Sequence, residues 1–257
     1  MAFVTCDFFS ESLGTGTSMS VVLPQATSAQ IGVGADAGAP GGDDGFPLLY
    51  LLHGLSDDHT AWARYTSIER YAAAAGIAVV MPAVARSWYT DEARGHDYWT
   101  YVSEELPQVV RSFFRVTERP DSTFVAGLSM GGYGALKLAL THPQRYAAAA
   151  SLSGALDVVG LAASPERDPE MHDRVFAGVP GPDADLFALL AAAPAGAVPP
   201  LHVSCGTDDE LLASNERFVA EARARGVDVT FDLRPGDHEW GFWDQGIRDV
   251  IAWLPGR

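Results

Sequence analysis

Cysteine is scarce in this 257-residue chain: Cys6 and Cys205 are the two present, and neither sits in a Cys-x-x-Cys pair. A disulfide framework is therefore excluded, nothing demands an oxidising compartment, and both thiols fall in strand-like runs where burial is expected. Basic residues are also few, 17 Lys and Arg against 33 Asp and Glu, for a net charge of −16. With no local Lys/Arg cluster to offset it, such a surface repels nucleic acid and anionic membranes. No apolar run approaches the roughly 20 residues of a membrane span. The stretch Met1 to Asp7 lacks the basic start and apolar stretch of a signal peptide. The expectation is a soluble cytoplasmic protein with no nucleic-acid or membrane partner, and with self-association left open.

What is present is an ordinary globular balance, 47% hydrophobic and 19% charged, in a chain long enough for a substantial core. Phe3 to Phe9 and Met19 to Leu23 read as strands joined by the Gly14-Thr15-Gly16 turn, too close for a crossover and so antiparallel. Residues 25–45, rich in Gly, Ala, Asp and Ser, read as a mobile surface loop. Continuous apolar runs at Leu48 to Leu52, Ile77 to Met81, Phe124 to Leu128, Tyr146 to Leu152, Leu201 to Cys205 and Val227 to Leu233 read as buried strands. Helical patterns separate them: Ile68 to Ala75, Tyr98 to Phe114 with a bend or restart at Pro107, the segment after Ser129, Glu210 to Arg225, and Glu239 to Trp253. Strand–helix alternation predicts a mostly parallel sheet with helices on both faces, in one α/β domain over 1–257. Residues 155–200 break the rhythm and predict two short helices, Pro169 to Phe176 and Asp185 to Ala192, in an excursion that is either a lid or a passive loop.

The segment Thr123-Phe124-Val125-Ala126-Gly127-Leu128-Ser129-Met130-Gly131-Gly132 carries the most chemistry. An apolar strand ends in Gly-x-Ser-x-Gly and passes at once into a helix, so the serine tops a strained turn with its hydroxyl above the sheet edge. Gly127 and Gly131 stand where a Cβ would collide with the neighbouring strand or helix.

A neutral serine needs a base, and the base an orienting group. In this arrangement both follow the nucleophile, acid before histidine. His238, in the turn Arg234-Pro235-Gly236-Asp237-His238-Glu239-Trp240 beyond the last strand, is at the required edge. His142, His172 and His202 are placed less well: behind the serine's own helix, in the excursion and inside a strand. The acid comes from Gly206-Thr207-Asp208-Asp209-Glu210. Spacing favours Asp209, Asp208 stays an alternative, and one of the two is expected to cap the following helix. For the oxyanion, one donor is the Met130 N–H and the second the Leu55 N–H in His53-Gly54-Leu55-Ser56-Asp57-Asp58-His59. That loop lacks the His-x-His-x-Asp-His spacing of a binuclear metal site, because Leu55 holds the second position, so no metal and no cofactor are expected. Trp62, Trp88, Tyr89 and Trp240 are candidates to line a substrate pocket, with Trp240 foremost because it lies two residues past His238.

On these residues, together with Cys6-Asp7-Phe8-Phe9-Ser10-Glu11, Tyr50-Leu51-Leu52, Ser67-Ile68-Glu69-Arg70-Tyr71 and Ser103-Glu104-Glu105-Leu106-Pro107, the chain resembles the α/β-hydrolase superfamily. Within it the chain is similar to the esterase D family and to its tributyrin-esterase branch. The resemblance implies a serine carboxylesterase acting on short-chain acyl esters, with Ser129, Asp209 and His238 as triad and a small-molecule ester as partner. Formylglutathione hydrolases, acetylxylan esterases and feruloyl esterases belong to the same group. The chain departs from the formylglutathione branch at His53-Gly54-Leu55-Ser56-Asp57, where that branch has a Ser-Gly-Leu-Thr-Cys type turn, and at Leu128, where it has His. In tributyrin esterases the acidic turn reads Gly-Thr-Glu-Asp with the second acid catalytic, which matches Asp209. Acyl transfer to an acceptor other than water, and an inactive binding module on the same fold, are the readings from other functional classes.

Overall fold

The computed structural model describes residues 1–25, 45–163 and 168–256. The loop expected over 25–45 falls almost wholly outside the described residues. Eight strands form one sheet: β1 Ala2–Ser10, β2 Thr15–Leu23, β3 Leu48–Leu52, β4 Ala78–Pro82, β5 Thr123–Leu128, β6 Ala148–Leu152, β7 Leu201–Gly206 and β8 Val229–Arg234. Their order is β1-β2-β4-β3-β5-β6-β7-β8. β1 pairs with β2, and β2 with β4, antiparallel; every later pairing is parallel. The sheet is thus parallel where crossovers feed it and antiparallel at one edge, as the spacing of the segments predicts.

The turn between β1 and β2 is a correction. Ser10 pairs with Thr15 and Phe9 with Gly16, so the chain reverses over Glu11–Gly14, with Gly14 closing the turn at φ 63°, while Thr15 and Gly16 already belong to β2. Part of the cause is distant. Glu105 accepts hydrogen bonds from the Ser10 hydroxyl and the Glu11 and Ser12 N–H groups, at 2.6, 2.8 and 3.0 Å. These charge-assisted bonds hold the part of the turn that precedes Gly14.

Among the described residues ten α-helices flank the sheet: α1 Ala61–Tyr65, α2 Ile68–Ala75, α3 Tyr98–Thr100, α4 Leu106–Phe113, α5 Met130–Thr141, α6 Val158–Ala162, α7 Pro169–Phe176, α8 Leu186–Ala192, α9 Leu212–Ala224 and α10 Trp240–Trp253. Strand alternation divides the core. Leu48, Tyr50 and Leu52 face α4, α5, α8 and α9, while Leu49 and Leu51 face α2 and α10. Each fully buried aliphatic side chain of this kind contributes about 1.5–3 kcal/mol, which is why the central strands carry no polar face. The helix expected from Tyr98 to Phe114, with a bend or restart at Pro107, carries a π turn over Tyr101–Glu105 and restarts at Leu106. Pro107 has no N–H to offer the Ser103 carbonyl, and its ring would press on that oxygen. The carbonyl instead accepts from the Arg145 guanidinium at 2.6 Å. The excursion after β6 holds α6 as well as the two short helices read from sequence.

Candidate active site

Ser129 sits between β5 and α5 with φ 53° and ψ −118°, a left-handed conformation that costs a non-glycine residue about 1–3 kcal/mol. The surroundings over-determine it. The Ser129 N–H donates to Leu152 at 2.9 Å, and its carbonyl accepts from Tyr133 and Ala155 at 3.1 Å each. A Cβ on Gly127 would overlap the Gly131 carbonyl, and one on Gly131 would overlap that of Leu52. Both glycines are therefore required by close approach.

The turns after β7 and β8 are stapled together. Thr207 N–H donates to Arg234 and Asp208 N–H to Gly236, each at 3.0 Å. The staple carries Asp209 to His238. His238 Nδ1 lies 3.0 Å from Asp209 Oδ2, and His238 Nε2 lies 3.1 Å from Ser129 Oγ. Because the carboxylate only accepts, Nδ1 carries the proton in the neutral ring and Nε2 is the lone-pair nitrogen facing the serine. The Asp209 side chain is fully buried and the imidazole partly exposed. Burial alone would raise the Asp209 pKa, but the bonds from His238 and the Leu211 N–H more than offset it and hold the carboxyl below its ordinary range. Asp208 is exposed. The expected capping of α9 by an aspartate side chain is not found: the N-cap is Leu211, with no side-chain bond to the helix, and Asp209 Oδ1 instead accepts from Leu211 N–H at 2.9 Å in the preceding turn while Oδ2 holds the imidazole.

The His53 loop faces this group. His53 is buried and both its ring nitrogens are engaged. Nε2 accepts from the Val84 N–H at 3.0 Å, so Nδ1 carries the proton and donates to the Gly54 carbonyl at 2.7 Å. Burial lowers its pKa to about 4, against a smaller opposing effect of the Gly54 bond. Tyr89 OH donates to the His53 carbonyl at 2.9 Å. A ring so occupied has no lone pair for a metal. Leu55 and Met130 both line the cleft beside Ser129, and among the described residues neither N–H has a hydrogen-bond acceptor. Met130 opens α5, where an N–H has no intrahelical partner.

The cleft over Ser129 and His238 encloses about 760 Å³. Trp240 and Trp88 line it, as expected. Trp62 does not. It is fully buried beneath Trp240, with ring centroids 5.4 Å apart at 89°, and its Nε1–H donates to the Leu52 carbonyl at 3.0 Å. Tyr89 is likewise turned inward, its hydroxyl committed to His53. Trp243, which sequence reading missed, lines the cleft and meets the His238 ring edge-on at 4.8 Å. Its signal was available: it lies one helical turn beyond Glu239, on the face of α10 that begins at the histidine turn. Leu161, Asp168, Met171 and His172 come from the excursion and form the facing wall. No local pattern marks them, because their place depends on how α6 and α7 fold back over the sheet edge.

A serine, an imidazole and a carboxylate bonded in series at the C-terminal rim of such a sheet define a serine hydrolase of the α/β-hydrolase class. Residues 10–254 match the family described as "Putative esterase", and the chain belongs to that family of carboxylic ester hydrolases. It is 28% identical to an acetyl esterase of Caldicellulosiruptor saccharolyticus, over 99% of this chain and 98% of that one. Its structure is similar to that of FphF, a fluorophosphonate-binding serine hydrolase of Staphylococcus aureus solved with substrate bound, at a TM-score of 0.86 and 34% identity over 100% of this chain and 99% of that one. It is also similar to S-formylglutathione hydrolase FrmB of Staphylococcus aureus, at a TM-score of 0.83 and 33% identity over 98% of each chain. Among the described residues no helix is long and apolar enough to cross a membrane.

Proposed function

We propose that the chain hydrolyses short-chain acyl esters of small alcohols by acyl transfer through Ser129. The observation that carries this is the hydrogen-bonded series Ser129–His238–Asp209 opening onto the cleft. Ser129 Oγ attacks the ester carbonyl as His238 Nε2 takes its proton, and Asp209 stabilises the imidazolium and fixes the tautomer. The Leu55 and Met130 N–H groups receive the oxyanion; removing one such donor typically costs about 3 kcal/mol of transition-state stabilisation. His238 then protonates the departing alcohol, and water, activated by the same imidazole, releases the acid and restores the serine. A cleft floored by Leu128, Leu161, Met171 and Leu211 accepts a short apolar acyl chain. The same reading places the chain in the cytoplasm, where free thiols such as Cys6 and Cys205 are the ordinary state.

The test is labelling by a fluorophosphonate probe followed by a chain-length series of aryl esters. Labelling and turnover are expected in the native protein and lost in Ser129→Ala with folding intact. Turnover retained in that variant would reject the assignment, and an unlabelled native serine would favour an inactive binding module.

A thioester substrate is the second reading, favoured by the likeness to FrmB. Against it, Asp57, Asp168, Glu210 and Glu239 surround the cleft with Arg86 as the one Lys or Arg among its described lining residues, a field that disfavours an anionic peptide thiol. A higher kcat/KM for S-formylglutathione than for an aryl acetate would reverse the order. Product analysis with added alcohols separates hydrolysis from transfer to another acceptor.

A further inference from the structure

A second cavity, of about 260 Å³, opens at the opposite pole of the sheet from Ser129. It lies where β3 and β5 begin, one strand length from the serine, about 20 Å for the six residues of β5. Its roof is one stripe of the helical segment, Glu104, Pro107, Gln108 and Arg111, which recur at helical spacing on one face. The π turn ahead of Pro107 lies at the head of this roof, and π turns of this kind recur at functional sites.

Three donors converge there without partners. Tyr50 and Tyr146 line the cavity while only 5% and 6% exposed. Among the described residues neither hydroxyl makes a hydrogen bond, although a buried phenol ordinarily finds a partner. Neither hydroxyl is sealed from solvent in the protein interior, so the small remaining exposure of each ring opens onto the cavity. Burial raises both phenols well above their ordinary pKa, and each stays a proton donor at physiological pH. Tyr146 and the Arg111 guanidinium both lie near enough to Tyr50 to act on its charge. Arg111 forms no ion pair among the described residues. Arg145 closes one side, but its guanidinium is already spent on the Ser103 carbonyl and on Glu104. Glu118, at the rim, is the one carboxylate of the lining without such a bond.

We propose that this cavity is a binding site for a small oxyanion, a carboxylate or a phosphate group, held by the Arg111 guanidinium and the hydroxyls of Tyr50 and Tyr146. A guanidinium and two phenols that keep their protons can all donate to one ligand, which suits an oxyanion. The volume is below the range of drug-sized pockets, so the ligand is small. The site does not depend on the role given to Ser129.

The experiment is titration calorimetry of the full chain with sodium acetate and, separately, sodium phosphate, against sodium chloride at matched ionic strength. Saturable binding of at least one of the two oxyanions and not of chloride is expected, and the stronger of the two identifies the group the site prefers. Arg111→Gln, on an exposed helix position, should weaken that binding at least ten-fold. Tyr50→Phe with Tyr146→Phe should weaken it several-fold, with ester turnover unchanged in both variants. No binding of either anion, or binding that Arg111→Gln leaves intact because it resides in the Ser129 cleft, would overturn the proposal.

Discussion

The wall of the cleft that carries Ser129, Asp209 and His238 is held by buried backbone contacts, whereas the facing wall, from α6 and α7, adds ion pairs at its surface to the buried contacts of Val158, Met171 and Val175. On the first wall the β7 and β8 turns share two backbone hydrogen bonds and the acid is wholly enclosed. On the second, Arg86 pairs with Asp168 at 2.8 Å with side chains 51% and 36% exposed. Arg174 meets Glu92 and Arg94 meets Asp173 nearby, beside two backbone bonds from Ala93 and Arg94 to Val175 and Arg174. The first kind of contact sets angles and protonation states. An exposed pair such as Arg86–Asp168 is worth at most about 1 kcal/mol and weakens in salt. Chemistry is assigned to the stiff wall and substrate fit to the adjustable one.

That contrast is open to attack at three strengths. Asp209→Asn should lower kcat by about three to four orders of magnitude, since the amide leaves the wrong imidazole tautomer facing the serine. Asp208→Asn, at the exposed neighbour, should stay within about two-fold. Steady-state kinetics on an aryl ester decides it, and equal losses would dissolve the distinction between the aspartates.

His53 gives the next effect, on stability. Its folded pKa of about 4 lies below the ordinary histidine value, so the unfolded chain binds the extra proton between those values. The contribution is complete above about pH 6.5 and is lost as pH falls towards about 4, at most about 3 kcal/mol. Urea unfolding at pH 7 and pH 4.5 should therefore show a smaller acid loss in His53→Gln than in the native protein. An identical loss would mean that the ring is not held neutral.

The smallest effect belongs to the charged wall. Asp168→Asn keeps an oxygen for the Met171 N–H, which Asp168 Oδ1 accepts at 3.1 Å, but removes the charge facing Arg86. KM should rise two- to five-fold with kcat preserved, and the difference should vanish in about 0.5 M salt. A fall in kcat instead would show that this wall acts on the chemistry.

Much of this was legible in the sequence where a local rule decides the outcome. Unbroken apolar runs mark strands buried on both faces, and the order of serine, acid and histidine places all three at one rim. Legibility fails where a distant partner intervenes. The β1–β2 turn is held from Glu105, some 90 residues away, as well as by its own Gly14. Trp62 and Trp240 look alike in the sequence as candidates to line the pocket, yet one is bonded to the Leu52 carbonyl below and the other lies over it at the cleft. Trp88 and Tyr89 both adopt left-handed φ, 54° and 48°, and no sequence rule places non-glycine residues there; this backbone turns one ring to the cleft and the other to His53. An aspartate side chain is expected to cap α9, but Asp209 spends its second oxygen on the turn before the helix, and that choice leaves no trace in spacing.

That double duty ties the fate of the active centre to the fold around it. The turn that leads into α9 and the imidazole draw on the two oxygens of one carboxylate. Acid strong enough to protonate residue 209 would slacken that turn and unseat the ring in a single event, so inactivation and local loosening would share one titration. Because the bonds that set the ring also depress the pKa of that carboxyl, the centre is protected from acid by the same contacts that make it reactive.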